Sequence, residues 1–336
     1  MSDFELERSP EARELAENAL VRLLDALEGH ELGLVVLGGL VPELLTGGQG
    51  DETPAHLRTT DIDIHITLVA DPESDLSALE TALEAIDAEP DPKIDGWRWL
   101  IPIEGTRVKI EFLCDPEDRP ASETIPLPGC HQVKAANLRG TGFVARDWVE
   151  EEIERTTDGE TSVRRARFAG LEGYLMAKSY AVRSRGADKD YFDLVHVLLY
   201  NRAGGPEQAG RLLAGGRFAE DVKAARSVFR EIEARFADAS AFGPQSYVQQ
   251  ALRVESEADA PNWHKTRSAR SRNSSSHSRL RNPNPDGRRQ ARRSAPPGKA
   301  ATTAHGQGTL GSSAAWKRHH APVINGSPLF SARFSK

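Results

Sequence analysis

The sequence predicts an α/β (α+β) domain with a mixed sheet over residues 1–130, a mainly helical domain over 131–252, and a disordered basic tail over 253–336. Three observations lead there. Helical and strand periodicities alternate up to Leu113, the pattern of helices packed on a sheet. From Phe168 onward the apolar residues recur at helical spacing alone. Beyond about Leu252 the periodicity stops, and residues 264–336 hold only seven large aliphatic or Phe residues in 73 positions, too few to offset chain entropy.

The first element is a helix. Ser9 suits its cap and Pro10 its first turn, Ala12, Leu15, Ala19, Leu23 and Leu27 follow at helical spacing, and Gly29 stops it. Leu32 to Leu37 is short, apolar and rich in Val, a buried strand broken by Gly38-Gly39, with a helix over Leu40 to Leu45. Gly47 to Leu57 is a polar, glycine-bearing loop. Thr60 to Val69 alternates, Ile62, Ile64, Ile66 and Leu68 on one face and Asp61, Asp63 and His65 on the other. A helix over Leu76 to Ile86 precedes strands Trp97–Ile103 and Arg107–Leu113, joined through a Glu104-Gly105-Thr106 turn. Residues 116–165 read as irregular chain with one or two short strands. Four helices follow, over Gly170–Ser184, Lys189–Tyr200 with Asp188 as its cap, Pro206–Ala214 and Phe218–Ala237.

Composition narrows the function. Two cysteines, Cys114 and Cys130, with no CxxC and no Cys/His cluster argue against a disulfide scaffold or a zinc site and suit a reducing compartment. An acidic N-terminus and the lack of a long apolar run predict a cytoplasmic protein with no signal peptide and no contact with membrane. The net charge of −7 conceals a split: residues 264–336 carry fifteen Lys or Arg and one acid, leaving 28 basic against 49 acidic side chains in the rest. An acidic body is a poor non-specific nucleic-acid binder, so contact with RNA or DNA needs a local basic face or the tail.

The chemistry-bearing residues are acids. Asp61 and Asp63, two positions apart on a strand, point the same way about 6–7 Å apart along the backbone. That spacing suits two hard cations lying about 3.5–4 Å from one another. Mg2+ (or Mn2+) fits, because it accepts a few carboxylates and keeps waters for phosphate oxygens. Glu111, flanked by Ile110 and Phe112, supplies a third carboxylate from a neighbouring strand and could also take a proton from an attacking hydroxyl. Gly38-Gly39 stands between a strand and a helix, where backbone N–H groups favour phosphate. Taken singly, each signal has a plainer explanation: surface acids, a turn, an ion pair of Glu111 with Arg107 or Lys109. His65 reads as a neutral, hydrogen-bonded histidine, and Trp97 and Trp99 as packing.

The run Val36-Leu37-Gly38-Gly39-Leu40-Val41-Pro42-Glu43-Leu44-Leu45, followed by Arg58-Thr59-Thr60-Asp61-Ile62-Asp63-Ile64, resembles the DNA polymerase β-like nucleotidyltransferase superfamily. A second segment, Leu171-Glu172-Gly173-Tyr174-Leu175-Met176-Ala177-Lys178, then Arg183 and Lys189-Asp190-Tyr191-Phe192-Asp193-Leu194, is similar to the AbiEii/AbiGii toxin family in particular. The resemblance covers roughly residues 32–200. It implies a nucleotidyltransferase fold, Mg2+ on Asp61 and Asp63, and the triphosphate of an NTP substrate held by Lys178, with Asp190 or Asp193 completing or bracing the site; Glu111 stands beside them as the third metal ligand, and Gly38, Gly39 and Thr60 as nucleotide-binding candidates. Lys178, Arg183, Asp190 and Asp193 equally suit a salt-bridge network between two helices. The long linker between Gly39 and Asp61, and Glu in place of the commoner Asp as third acid, depart from the family pattern. The resemblance implies a toxin of a toxin–antitoxin or phage-defence pair, acting on RNA (tRNA in some relatives) or protein and paired with a cognate antitoxin. The alternatives are a non-catalytic nucleotide- or partner-binding module and a small-molecule (antibiotic) adenylyltransferase.

Overall fold

The structure is a computed structural model that describes residues 10–46, 56, 59, 61–68, 75–157 and 160–258. Thr60, Ser9, most of the 47–57 loop and the tail beyond 258 lie outside the described residues. Helix α1 (Pro10–Ala26) opens with proline at its first position and ends before Gly29, whose φ of 86° is left-handed backbone that glycine adopts without a steric penalty. Strand β1 (Leu34–Leu37) then enters the sheet, followed by a single 3-10 turn over Gly38–Leu40 and the short helix α2 (Val41–Thr46).

Strand β2 (Asp61–Ile66), helix α3 (Ser77–Ala85), a two-residue strand β3 (Glu89–Pro90) and strands β4 (Arg98–Ile103) and β5 (Thr106–Cys114) follow. The β4–β5 loop is two residues, Glu104 and Gly105, both at positive φ (49° and 78°), which is the geometry that lets a tight turn match the strand twist. Thr106 belongs to β5 and pairs with Ile103, one residue tighter than the three-residue turn expected from the sequence.

The 116–165 stretch holds more order than its sequence shows. Short strands β6 (Thr124–Pro126) and β7 (Lys134–Asn137) pair antiparallel, and β7 joins the end of β5. Strands β8 (Trp148–Thr157) and β9 (Glu160–Ala169) form a ten-residue-a-side hairpin. Its charge-rich sequence masks strand alternation because the pairing itself is ionic. Glu152 meets Arg165 at 3.1 Å and Glu150 meets Arg167 at 3.8 Å, each directly across the register.

The main sheet runs β3-β4-β5-β2-β1-β9-β8, with β2 parallel to β5 and β1 parallel to β9 among otherwise antiparallel neighbours. It is the expected mixed sheet, and it does not stop at residue 130, since β7, β8 and β9 are part of it. Ile62, Ile64, Ile66, Trp99, Ile101, Ile110 and Phe112 join Ala16, Leu20 and Leu23 of α1 and Leu79 and Leu83 of α3 in one buried core. That burial supplies most of the stabilisation, because apolar area removed from water contributes about 25 cal/mol per Å2.

Helices α4 (Leu171–Ser184), α5 (Asp188–Tyr200) and α6 (Pro206–Gly215) agree with the helical reading. The helix expected over 218–237 is two, α7 (Ala219–Ala224) and α8 (Arg226–Arg235), separated at Ala225, whose ψ of 17° leaves the α-helical region. Helix α9 (Phe242–Ala258) is an addition to the sequence reading and packs through Tyr247 on Phe192 and Val195 of α5. Asp188 is not the cap of α5: Ala187 holds that position, and Asp188 sits in the first turn accepting a hydrogen bond from Ser246. Among the described residues no helix is long and apolar enough to cross a membrane. Cys114 and Cys130 are free thiols.

Candidate active site on the acidic strand face

Strand alternation places Asp61 and Asp63 on the same face of β2, opposite the buried Ile62 and Ile64. Parallel pairing with β5 sets Asp63 beside Glu111 and Asp61 beside Lys109. In-register neighbours on adjacent strands project to one side, so the three expected carboxylates share a face. Lys109 reaches Asp61 at 4.0 Å. The Glu111 carboxylate is turned to Arg98 of β4, its cross-strand neighbour, at 2.6 Å, and Arg98 also reaches Asp91 at 3.5 Å.

Burial and mutual repulsion govern the charge here. Burial, reinforced by the Asp63 charge and offset by Arg98, pushes the Glu111 carboxyl up to about 7. Burial also raises Asp63; Lys189 and Lys178 pull it back and Asp61 adds to the rise. Among the described residues none donates a hydrogen bond to the Asp63 carboxylate. Burial is the main reason that both acids on this face stand above their ordinary range. Their carboxylate oxygens are hard donors of the kind that fits a divalent cation such as Mg2+. Among the described residues no three acidic, His or Cys side chains are already drawn together around one metal position, since Glu111 faces Arg98.

The glycine pair serves this face in a way its sequence position does not reveal. Gly38 has φ of 76°, and a Cβ there would stand 1.8 Å from Oδ2 of Asp63. A Cβ on Gly39 would stand 2.5 Å from Cβ of Thr59. A larger residue at Gly38 therefore displaces the carboxylate itself, and one at Gly39 displaces Thr59, before a ligand is considered. Thr59 in turn brackets the Asp61 backbone, its hydroxyl donating to the Asp61 carbonyl at 3.1 Å and accepting from the Asp61 N–H at 3.2 Å.

Lys178, Asp190 and Asp193 form a buried ion network rather than an open cradle. The Lys178 ammonium donates to Asp193 at 2.6 Å and to Asp190 at 3.2 Å. His56 meets the other Asp193 oxygen at 2.9 Å, and Arg185 donates twice to Asp190, at 2.6 and 2.9 Å. All but Arg185 are buried. Burial alone would raise Asp193, but Lys178 and His56 outweigh it and hold the carboxyl well below its usual range. Lys178 is held charged by the same two acids against its burial. The network nonetheless acts on the acidic face, since Lys189, Lys178 and Arg185 all favour ionised Asp63. Arg183 is not among the partners of this network; it pairs with Glu231 at 3.1 Å.

Arg98, Thr59, His56 and Arg185 are members of the site that the sequence reading did not single out. The first is legible once the β4–β5 turn is two residues long; His56 has no signal in its surroundings. His65 is buried and neutral, its pKa lowered by burial to about 4, and among the described residues its Nδ1 has no hydrogen-bond partner. Trp99 is core, its indole N–H donating to the Gly96 carbonyl, while Trp97 lies under the Arg98 guanidinium at 5.0 Å.

No family model matches the chain, and no curated protein does. Among solved structures it is similar to that of the antibiotic-resistance factor ANT(2'')-Ia, with 13% identity, 66% of this chain and 98% of that chain covered, and a TM-score of 0.35. It is also similar to the CD-NTase CdnG of Bradyrhizobium diazoefficiens in complex with GTP, with 14% identity, coverage of 79% and 100%, and a TM-score of 0.20. Likenesses this distant decide nothing about the chain, and its chemistry has to be read from the strand face.

Proposed function

We propose that this chain is a metal-dependent nucleotidyltransferase that moves a nucleoside monophosphate from an NTP to a hydroxyl on RNA or protein. The observation that carries the reading is the placement of Asp61, Asp63 and Glu111 on one face of two parallel neighbours, with Gly38 packed against Asp63. Asp61, Asp63 and Glu111 would hold Mg2+ or Mn2+, which when bound neutralises phosphate oxygens and lowers the barrier to displacement at phosphorus.

In the proposed transfer the acceptor oxygen bonds to the α-phosphorus as the bond to the β-phosphate oxygen breaks, and pyrophosphate leaves. Glu111, the third acid on this face, is suited to take the acceptor proton as the hydroxyl attacks. Arg98 fixes the Glu111 side chain, and the Lys178, Asp190 and Asp193 network fixes the field around Asp63. Gly38, Gly39 and Thr60 would line the nucleotide's approach. The resemblance of the Gly38 to Asp63 and Lys178 to Leu194 segments to the AbiEii/AbiGii family supports the role of toxin in a toxin–antitoxin or phage-defence pair, with an antitoxin as partner.

Purified protein with Mg2+, labelled NTPs and mixed RNA and protein acceptors should label an acceptor, and Asp63→Ala should lower the rate by about 100-fold or more, as loss of a transition-state charge contact does. Equal labelling by the variant would sink the proposal.

A further inference from the structure

A pocket of about 280 Å3 opens where the end of α4, the start of α5, α8 and α9 meet, with Arg183, Arg185, Tyr191, Arg235 and Phe242 in its wall. Three guanidinium groups therefore border one small space. Each already has a use in the fold. Arg183 pairs with Glu231, Arg185 with Asp190, and Arg235 donates to the Val182 carbonyl at 2.7 Å and to the Tyr191 hydroxyl. These uses leave positive charge over. Asp190 is shared between Arg185 and Lys178, and Lys178 also takes Asp193, while Arg235 is held by a carbonyl and a phenol and by no carboxylate among the described residues. The three guanidinium groups of the wall are thus ion-paired with two carboxylates, Glu231 and Asp190, and Asp190 is shared with Lys178.

Guanidinium groups recognise phosphate oxygens through paired N–H donors, which distinguishes such a pocket from a patch of lysines. The wall also carries an aromatic surface. Phe242 is 55% exposed and stands edge-on to Tyr191 at 5.1 Å. An aromatic face beside an arginine cluster fits a phosphate that carries a base. Arg185 joins this pocket to the acidic strand face, because the charges of Asp63 and Glu111 act on it in addition to its bond with Asp190.

We propose that the Arg183, Arg185 and Arg235 pocket binds a phosphoryl group of a nucleotide beside the acidic face, supplied either by the polyphosphate of an NTP or by a phosphodiester of an oligonucleotide acceptor. Which source supplies it rests on the transferase reading; affinity for phosphate does not.

Equilibrium binding to the full chain separates these points, using inorganic phosphate, ATP and a short single-stranded oligoribonucleotide as probes. Arg183→Gln and Arg235→Gln should each weaken at least one probe about tenfold, the scale of a lost charge-assisted hydrogen bond. Phe242→Ala should weaken ATP or the oligonucleotide and spare inorganic phosphate. Weakening confined to ATP identifies the NTP as the source, and weakening confined to RNA identifies the acceptor. Arg183 and Glu231 are an exposed pair, at 41% and 47%, so Arg183→Gln keeps its fold even if Arg235→Gln does not. Arg183→Gln binding all three probes as tightly as wild type would overturn the proposal. Asp63→Asn, assayed in parallel, keeps the two readings apart: phosphate binding without transfer in the wild type defeats the transferase and leaves the pocket.

Discussion

At the scale of single residues, the candidate site is governed by what surrounds each carboxylate. Glu111 was legible as a third acid from the alternation Ile110, Glu111, Phe112, and the parallel register with Asp63 places it as that alternation requires. Its partner was not: burial and the Asp63 charge raise it from its ordinary 4.5 to about 7 against the pull of Arg98. A carboxyl whose folded pKa lies above its unfolded value binds a proton more tightly when folded. Its contribution to stability is therefore complete below about pH 4.5 and is lost as pH rises towards 7. With metal chelated, the melting temperature of wild type should fall over that window by more than that of Glu111→Gln, which has no proton to lose there. Differential scanning calorimetry at pH 5, 6 and 7.5 checks this, and parallel curves for the two proteins would show that Glu111 is not perturbed as described. Gly38 carries the complementary lesson. The sequence marks a glycine turn but not what lies against it; that a Cβ at Gly38 would stand 1.8 Å from the Asp63 carboxylate is seen only in three dimensions.

At the scale of elements, a single residue of turn length separates what the sequence shows from what it conceals. With a three-residue turn Ile103 would stand opposite Arg107, and Glu111 opposite Trp99. The two-residue turn at Glu104-Gly105 shifts the register by one and brings Arg98 across from Glu111. Helices such as α4 and α5 were readable from apolar residues at helical spacing, although burial in the fold runs without a break over Gly173–Ser179 and Asp190–Val197. The β8–β9 hairpin was not, because its outward positions are charges that recognise each other only after pairing. That pairing is testable. Glu152→Lys sets like charges opposite one another at Arg165, and exposure on both sides limits the cost to about 0.2–1 kcal/mol. Urea denaturation should show that loss, and the exchange of both charges (Glu152→Arg with Arg165→Glu) should recover it. Equal stability of the single and double variants would mean that the pair contributes nothing.

At the scale of the whole molecule, charge and core are distributed unequally along the chain. The buried cluster from Ala16 to Ile232 draws on the sheet and on most of the helices around it, and α9 adds its own contact through Tyr247. Residues 264–336 hold fifteen of the 43 basic side chains and one of the 50 acids. Removing them leaves a chain with 28 basic and 49 acidic groups, which repels a nucleic-acid backbone everywhere except at a local basic face. Phosphate affinity retained by that truncated chain has to come from such a face, and the Arg183, Arg185 and Arg235 pocket is the one argued for above. Deletion of residues 264–336 should therefore leave the melting temperature and Mg2+-dependent NTP binding unchanged, as measured by calorimetry on the two proteins at equal ionic strength. Labelling of an RNA acceptor should also persist in the truncated protein, with steeper inhibition by added acidic charge near the pocket than by the deletion itself. A truncated protein that binds NTP normally but no longer labels RNA would move the acceptor site into the basic segment, and a fall in melting temperature would show that the segment belongs to the fold.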